Sequence, residues 1–138
     1  MPERRVIVDT GPLVAFLVEE DHYHGWAITQ FRRLEAPFIT CEPVLTETCH
    51  LVSKLRGGRR RFLQVLDSGL LVADFNLLSE RRPVARLMEK YADQPMSLAD
   101  ACVVRLSEVH DKLVVFTSDS HFSIYRRHAR QPIPLISP

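Results

Sequence analysis

Cysteine is scarce and shows no pairing pattern: Cys41, Cys49 and Cys102 make an odd set without a C-x-x-C spacing. A disulfide framework is thereby excluded, and no thiolate cage for structural zinc is available. The expectation is three small hydrophobes in a reducing compartment. Long apolar runs are missing too. No stretch approaches the ~20 residues that span a bilayer. Asp9 interrupts the first candidate, Val6-Ile7-Val8, so no signal peptide can be drawn behind the charged start Met1 to Arg5. A cytoplasmic protein without a membrane partner is expected. Repeats, low-complexity segments and long linkers are absent, so residues 1–138 read as one domain. Nor does either charge dominate: 18 Lys and Arg face 17 Asp and Glu, for a net charge of +1. No overall field draws this chain to nucleic acid, and any such affinity must come from local segregation of charge.

What is present is ordinary for a globular domain, with 46% apolar and 25% charged residues. A chain of this size can bury roughly two-thirds of its unfolded surface. Short β-branched runs alternate with segments of helical period. Arg5 to Val8 reads as a strand, ended by Asp9-Thr10-Gly11-Pro12, with Leu13 to Val18 helical after the proline. Asp21 is placed to cap a second helix carrying Trp26, Ile28, Phe31 and Leu34. Phe38 to Thr40 reads as a strand, and Pro43 opens a helix to about Leu55, broken by Gly57-Gly58. Arg61 to Leu66 is helical, Leu70 to Ala73 a strand, and Val84 to Tyr91 helical again. Ser97 to about Val109 forms a further helix, Leu113 to Phe116 a strand, and Ile133 to Ile136 a fifth strand. This alternation predicts an α/β fold, a three-layer α/β/α sandwich around a mainly parallel sheet of four to five strands.

In open α/β sheets, ligands bind beyond the carboxyl ends of the strands. Asp9 directly follows the first strand, and Asp119 shortly follows Val114-Val115-Phe116. Glu47 and Asp100 lie early in helices that begin at the same edge. Each acid also has a duller reading. Asp9 suits a helix cap, Asp119 between Ser118 and Ser120 suits a turn, and Ser97-x-x-Asp100 matches a capping box. Glu47 resists dismissal, because its spacing to Val44, Leu51 and Leu55 puts it beside the apolar stripe. Asp100 likewise shares a side with Val103 and Val104. Two carboxylates ~5 Å apart repel by about 3 kcal/mol at an effective dielectric near 20. Four clustered acids make six such pairs, an uncompensated cost on the order of 10–20 kcal/mol. Protonation or a divalent cation relieves it, and an all-oxygen site suits Mg²⁺ or Mn²⁺.

With these positions in hand, the chain resembles the PIN-domain nucleases and, within them, the VapC-type toxins of toxin–antitoxin pairs. Val6-Ile7-Val8-Asp9-Thr10-Gly11 looks like the opening hydrophobic-D-[ST]-[SG] motif, and Val44-Leu45-Thr46-Glu47 like the second. Ser97-Leu98-Ala99-Asp100-Ala101 resembles the third, and Thr117-Ser118-Asp119-Ser120-His121-Phe122 the fourth, T-x-D-x-x-F. The resemblance implies an endoribonuclease dependent on Mg²⁺ or Mn²⁺, frequent homodimerisation, and a small cognate antitoxin acting at or near the site. Asp9 and Asp100 are then expected to hold the ion, with Asp119 binding it directly or through water. Glu47 is expected to orient or deprotonate the attacking water, or to bind a second ion. Thr10 and Thr117 are placed to donate to these carboxylates, or simply to bond within their own turns. Lys54, Arg56, Arg59, Arg60 and Arg61 around Gly57-Gly58 offer a phosphate-tracking cluster, or else a solvated helix end. Arg126, Arg127 and Arg130 form a second such group, and His121 lies near enough to Asp119 to reach a phosphate. His22, Tyr23, His24, Trp26 and the phenylalanines read as structural.

Two other enzyme classes share fragments of this pattern. Asp9-Thr10-Gly11 matches the loop of aspartic proteases, but those are β-rich and leave three acids unexplained. Haloacid dehalogenase-type phosphatases want a second Asp two residues on, where this chain has Gly11. A PIN-like module that binds RNA or protein with little cleavage, and a housekeeping RNA-processing nuclease, remain open alternatives.

Overall fold

A computed structural model describes residues 5–138, so most of the charged start, Met1 to Arg4, lies outside the described residues. In chain order the elements are β1 (Arg5–Val8), α1 (Thr10–Leu17), α2 (His24–Arg33), β2 (Phe38–Ile39), α3 (Glu42–Val52) and α4 (Gly58–Asp67). Then come β3 (Leu71–Val72), α5 (Arg81–Lys90), α6 (Leu98–Val109), β4 (Leu113–Phe116), a 3-10 turn at Ser120–Ser123, β5 (Arg126–Arg127), β6 (Gln131–Pro132) and β7 (Leu135–Ile136).

Five strands form one sheet in the order β3-β2-β1-β4-β7, every pair parallel. Parallel neighbours cannot be joined by tight turns, so a pair of helices carries each crossover from β1 to β2, β2 to β3 and β3 to β4. The result is the expected α/β/α arrangement. β4 is buried throughout and β1 is buried after Arg5, without apolar–polar alternation, as a sheet covered on both faces requires. Trp26 and Phe31 of α2 pack their rings 5.1 Å and 5.0 Å from Phe116, and Phe31 lies 5.0 Å from Phe38. A smaller cluster of Leu17, Val18, Val52 and Phe62 seats α4.

The strand order carries a functional consequence. The chain moves from β1 outward to β2 and β3, then crosses back to lay β4 on the other side of β1. Connections therefore diverge between β1 and β4, and that divergence opens a crevice at the carboxyl ends of both strands.

Several local expectations are revised. α2 starts at His24 instead of Asp21, because the Asp21 carboxylate accepts the Tyr23 N–H at 2.9 Å and closes a turn before the helix. The buried stripe of α3 is Val44, Thr48 and Val52, while Leu51 and Leu55 are 40% and 46% exposed. α3 stops at Val52 because the chain must turn sharply there. Gly57 adopts φ 74°, and a Cβ on Gly58 would collide with the Val52 carbonyl. The hairpin of β5 and β6 has no signal in the sequence; it turns through His128 and Ala129 at φ 48° and 67°, without a glycine to mark it. Cys41 and Cys102 are buried and Cys49 half-buried. The neighbouring Cys102 and burial push the Cys41 thiol well above the usual thiol range.

Candidate active site

Strand register places the first two acids. Val8 pairs with Phe116, so Asp9 and Thr117 emerge side by side at the crevice. The Asp9 N–H donates to the Phe116 carbonyl at 3.0 Å, extending the ladder by one bond. The Thr117 hydroxyl then donates to Asp9 Oδ2 at 2.8 Å and accepts the Asp119 N–H at 3.0 Å. A single buried hydroxyl thus joins the two acids and fixes one carboxylate.

Asp9 is only 3% exposed. Although it occupies the N-cap position of α1, its side chain makes no capping bond. Its Oδ1 is buried and unpartnered. Burial pushes its pKa up to about 7; the Thr117 bond and the Thr10 backbone N–H oppose the rise, while Asp100 and Asp119 add to it. A buried carboxylate oxygen with no donor is costly, and a cation would relieve it.

Asp100 does both of the things its position suggested. Ser97 Oγ accepts the Asp100 N–H at 3.0 Å, and Asp100 Oδ2 accepts the Ser97 N–H at 3.1 Å, a complete capping box. That box occupies Oδ2. The residue faces the same cavity as Asp9, and its pKa is raised chiefly by burial and then by Asp119 and Glu47. Asp119 accepts the His121 N–H at 2.9 Å and lies 2.7 Å from His121 Nδ1, both through Oδ1. His121 thereby holds the Asp119 carboxylate. Glu47 is half-buried on α3, which follows β2 through Thr40 and the N-cap Cys41; the Thr40 hydroxyl donates to the Val8 carbonyl at 3.2 Å.

Asp9, Glu47, Asp100 and Asp119 line one cavity of about 240 Å³. No Lys or Arg of the described residues shares that lining. Among the described residues, no three His, Cys, Asp or Glu side chains converge closely enough to form a ready-made metal cage. The donor set still fits a small hard cation. It offers oxygens only, one of them orphaned, around a cavity with room for water; Mg²⁺ and Mn²⁺ sites typically use one or two carboxylates and keep several waters. Zinc would want His or Cys, and the imidazole beside the acids, His121, is held by Asp119.

A family model of the PIN domain matches residues 6–127. The chain belongs to the PIN-domain family. Its fold is similar to the crystal structure of Mycobacterium tuberculosis VapC20, a sarcin-ricin loop cleaving toxin, with a TM-score of 0.76 and 18% identity over 86% of this chain and 93% of that one. No curated protein sequence matches it.

Other expected contributors to this PIN domain fall elsewhere. The Thr10 hydroxyl lines the acidic cavity but is buried without a partner, so it does not make the carboxylate bond expected of it. Lys54, Arg56, Arg59 and Arg60 are all exposed at the α3–α4 corner and do not line the cavity. Arg61 Nε donates to the Leu17 carbonyl at 2.9 Å, which is a structural task. Arg127 Nε donates to the Ser107 carbonyl at 2.8 Å, and Arg126 donates to the Ser123 carbonyl at 2.7 Å, so this pair is committed to the fold. Two residues lining the site, and one that feels its charges, escape sequence reasoning. Asp21 and Tyr23 line the cavity from the turn between α1 and α2, a position no spacing rule reveals. Tyr125 is fully buried with an unpartnered hydroxyl, and its pKa is pushed up to about 12 by burial and then by Asp100, Asp119 and Asp9.

Proposed function

We propose that this PIN domain is a metal-dependent endoribonuclease and the toxin of a toxin–antitoxin pair. The observation that carries the reading is the convergence of four carboxylates on one cavity at the β1/β4 crevice, with an Asp9 oxygen left without a donor. Family membership and the likeness to an RNA-cleaving toxin support it.

Asp9 and Asp100 would hold Mg²⁺ or Mn²⁺, and Asp119, steadied by His121, would bind it directly or through water. The ion, when bound, lowers the pKa of water and offsets charge growing on the phosphate oxygens. Thr117 keeps the Asp9 carboxylate oriented throughout. Glu47 takes a proton from the attacking water as its oxygen bonds to phosphorus. The bond from phosphorus to the 3′-oxygen breaks, and that oxygen takes a proton from solvent water, leaving a 5′-phosphate and a 3′-hydroxyl. Phosphates flanking the scissile bond need cations that the acidic cavity does not supply. The exposed Lys54, Arg56, Arg59 and Arg60 serve that need.

A small antitoxin is the partner this reading brings with it, together with a homodimer working in the cytoplasm. A second cavity of about 950 Å³ supports a protein partner. It shares Glu47 with the acidic cavity and sets apolar residues such as Phe75, Leu77 and Leu98 among polar ones such as Glu42, Asp74 and Asn76. None of the helices of the described residues is long and apolar enough to cross a membrane.

The test is cleavage of RNA by the purified protein with Mg²⁺ or Mn²⁺. Activity should vanish with EDTA and fall at least a hundredfold in Asp100→Ala and Asp9→Asn while both variants stay folded. Cleavage that persists in EDTA, or unchanged turnover by Asp9→Asn, would falsify the reading.

A further inference from the structure

The acidic cavity is not purely acidic. Tyr23, Leu51 and Val14 line it together with the four carboxylates. Leu51 follows Glu47 by one helical turn and is 40% exposed, which is unusual for a large apolar side chain beside carboxylates. Tyr23 is held in place from several directions. Its N–H donates to Asp21 Oδ1 at 2.9 Å, and the His24 N–H donates to the Asp21 carbonyl at 3.0 Å, fixing the turn. Its ring meets His22 edge-on at 4.7 Å and Trp26 at 6.0 Å. Half-buried, it is not a core residue: the ring has these two neighbours and lines the cavity.

A cation with its water needs no aromatic wall, and a protein chain docking outside would not need one inside the acid-lined cavity. An unpaired nucleobase needs both apolar faces. Stacking on one ring and packing on an aliphatic side chain is how single-stranded nucleic acid is held without reading its sequence. The carboxylate of Asp21, which lines the same cavity, can accept hydrogen bonds from a base edge but repels a phosphate, so it favours the base over the backbone there.

We infer that Tyr23 and Leu51 form a stacking subsite for one unpaired nucleobase next to the scissile phosphate. The subsite rests on the ribonuclease reading and adds a requirement to it: the RNA must present that nucleotide out of a duplex. Tyr23 then positions substrate and takes no part in the chemistry.

The experiment uses a short single-stranded RNA whose cleaved bond has first been mapped with the wild-type protein. Its affinity is measured by fluorescence anisotropy with Ca²⁺ replacing Mg²⁺, alongside versions made abasic at each nucleotide flanking that bond. Tyr23→Leu and Leu51→Ala should weaken binding about fivefold or more, as loss of a stacked base does. Tyr23→Phe should stay within about twofold of wild type. One abasic RNA should bind wild type as weakly as it binds Tyr23→Leu, because the partner of the ring is gone from either side. Annealing the RNA into a duplex should also abolish the difference between wild type and Tyr23→Leu. Equal loss on intact and on every abasic RNA would mean that Tyr23 acts only through the fold. Unchanged affinity in both variants, with cleavage still dependent on Asp100, would overturn the subsite and leave the nuclease standing, with the apolar wall serving a protein partner. Wild-type protein that binds no RNA at all sinks both readings.

Discussion

Asp9 carries two oxygens in unlike surroundings, one tied to Thr117 and one bare. Its folded-state pKa lies near 7, against 3.8 for an ordinary aspartate side chain. Between those values the folded protein binds a proton that the unfolded chain has released. The stability contributed by the neutral carboxyl is therefore complete below pH 3.8 and is lost as pH rises through about 7. In thermal melts of metal-free protein, the difference between wild type and Asp9→Asn should widen against wild type from pH 5 to pH 8. Added Mg²⁺ should close it, with a larger rise in Tm at pH 8 than at pH 5.5. A difference that does not change with pH would contradict the assignment. Thr117 belongs to the same argument. Thr117→Val removes the donor to Asp9 and the acceptor for Asp119 together. It should weaken Mg²⁺ binding by about 10- to 100-fold in calorimetry, whereas Thr117→Ser should retain it. Tyr125 makes the opposite case: its hydroxyl has no partner, so Tyr125→Phe should be neutral or stabilising by up to about 1 kcal/mol in urea unfolding. Tyr125→Leu, which breaks the ring packing with Tyr91 and Phe122 at 5.0 Å and 5.2 Å, should cost about 2 kcal/mol or more.

Among the elements, two glycines do different work. A Cβ at Gly11 would fall on Ser118 Oγ, the movable end of a side chain, whereas one at Gly58 would fall on the Val52 carbonyl, which is backbone. Gly11→Ala should therefore cost less than about 1 kcal/mol, and Gly58→Ala about 1–3 kcal/mol, compared by denaturant midpoints. The reverse order would show that α1 and the loop after β4 are more rigid than the α3–α4 corner. The elements also show what is legible in the sequence. Strands β1 and β4 are plain because residues buried on both faces leave unbroken apolar runs. The start of α6 is plain because Ser97 and Asp100 form a capping box that spacing alone reveals. The β5–β6 hairpin is hidden, since its turn uses His128 and Ala129 where a glycine or asparagine would have marked it. The buried face of α3 misleads because Leu51 is apolar yet faces the cavity, while polar Thr48 is buried and satisfied by its own helix, bonding the Val44 carbonyl at 2.7 Å.

For the whole molecule, the four acids can be read as one group because parallel strands deliver their carboxyl ends to a common edge. Their hydrogen-bond partners cannot be read, since these depend on register, and register is set by long-range packing. Thr117 lies 108 residues from Asp9. Charge distribution is the other property of this scale. A net charge of +1 hides the separation between an acid-lined cavity and the exposed cations at the α3–α4 corner. Replacing Lys54, Arg56, Arg59 and Arg60 together by Ala should weaken RNA binding to a similar degree for unrelated sequences. It should also flatten the dependence of affinity on salt by about 0.7 for each phosphate the protein no longer neutralises. An unchanged salt slope would remove that corner from the RNA path.

The pairing of β1 with β4 also bears on timing. During synthesis Asp9 emerges 108 residues before Thr117, so the carboxylate meets its threonine only after β4 has emerged and paired with β1. Until then the nascent chain holds scattered acids and no assembled cavity.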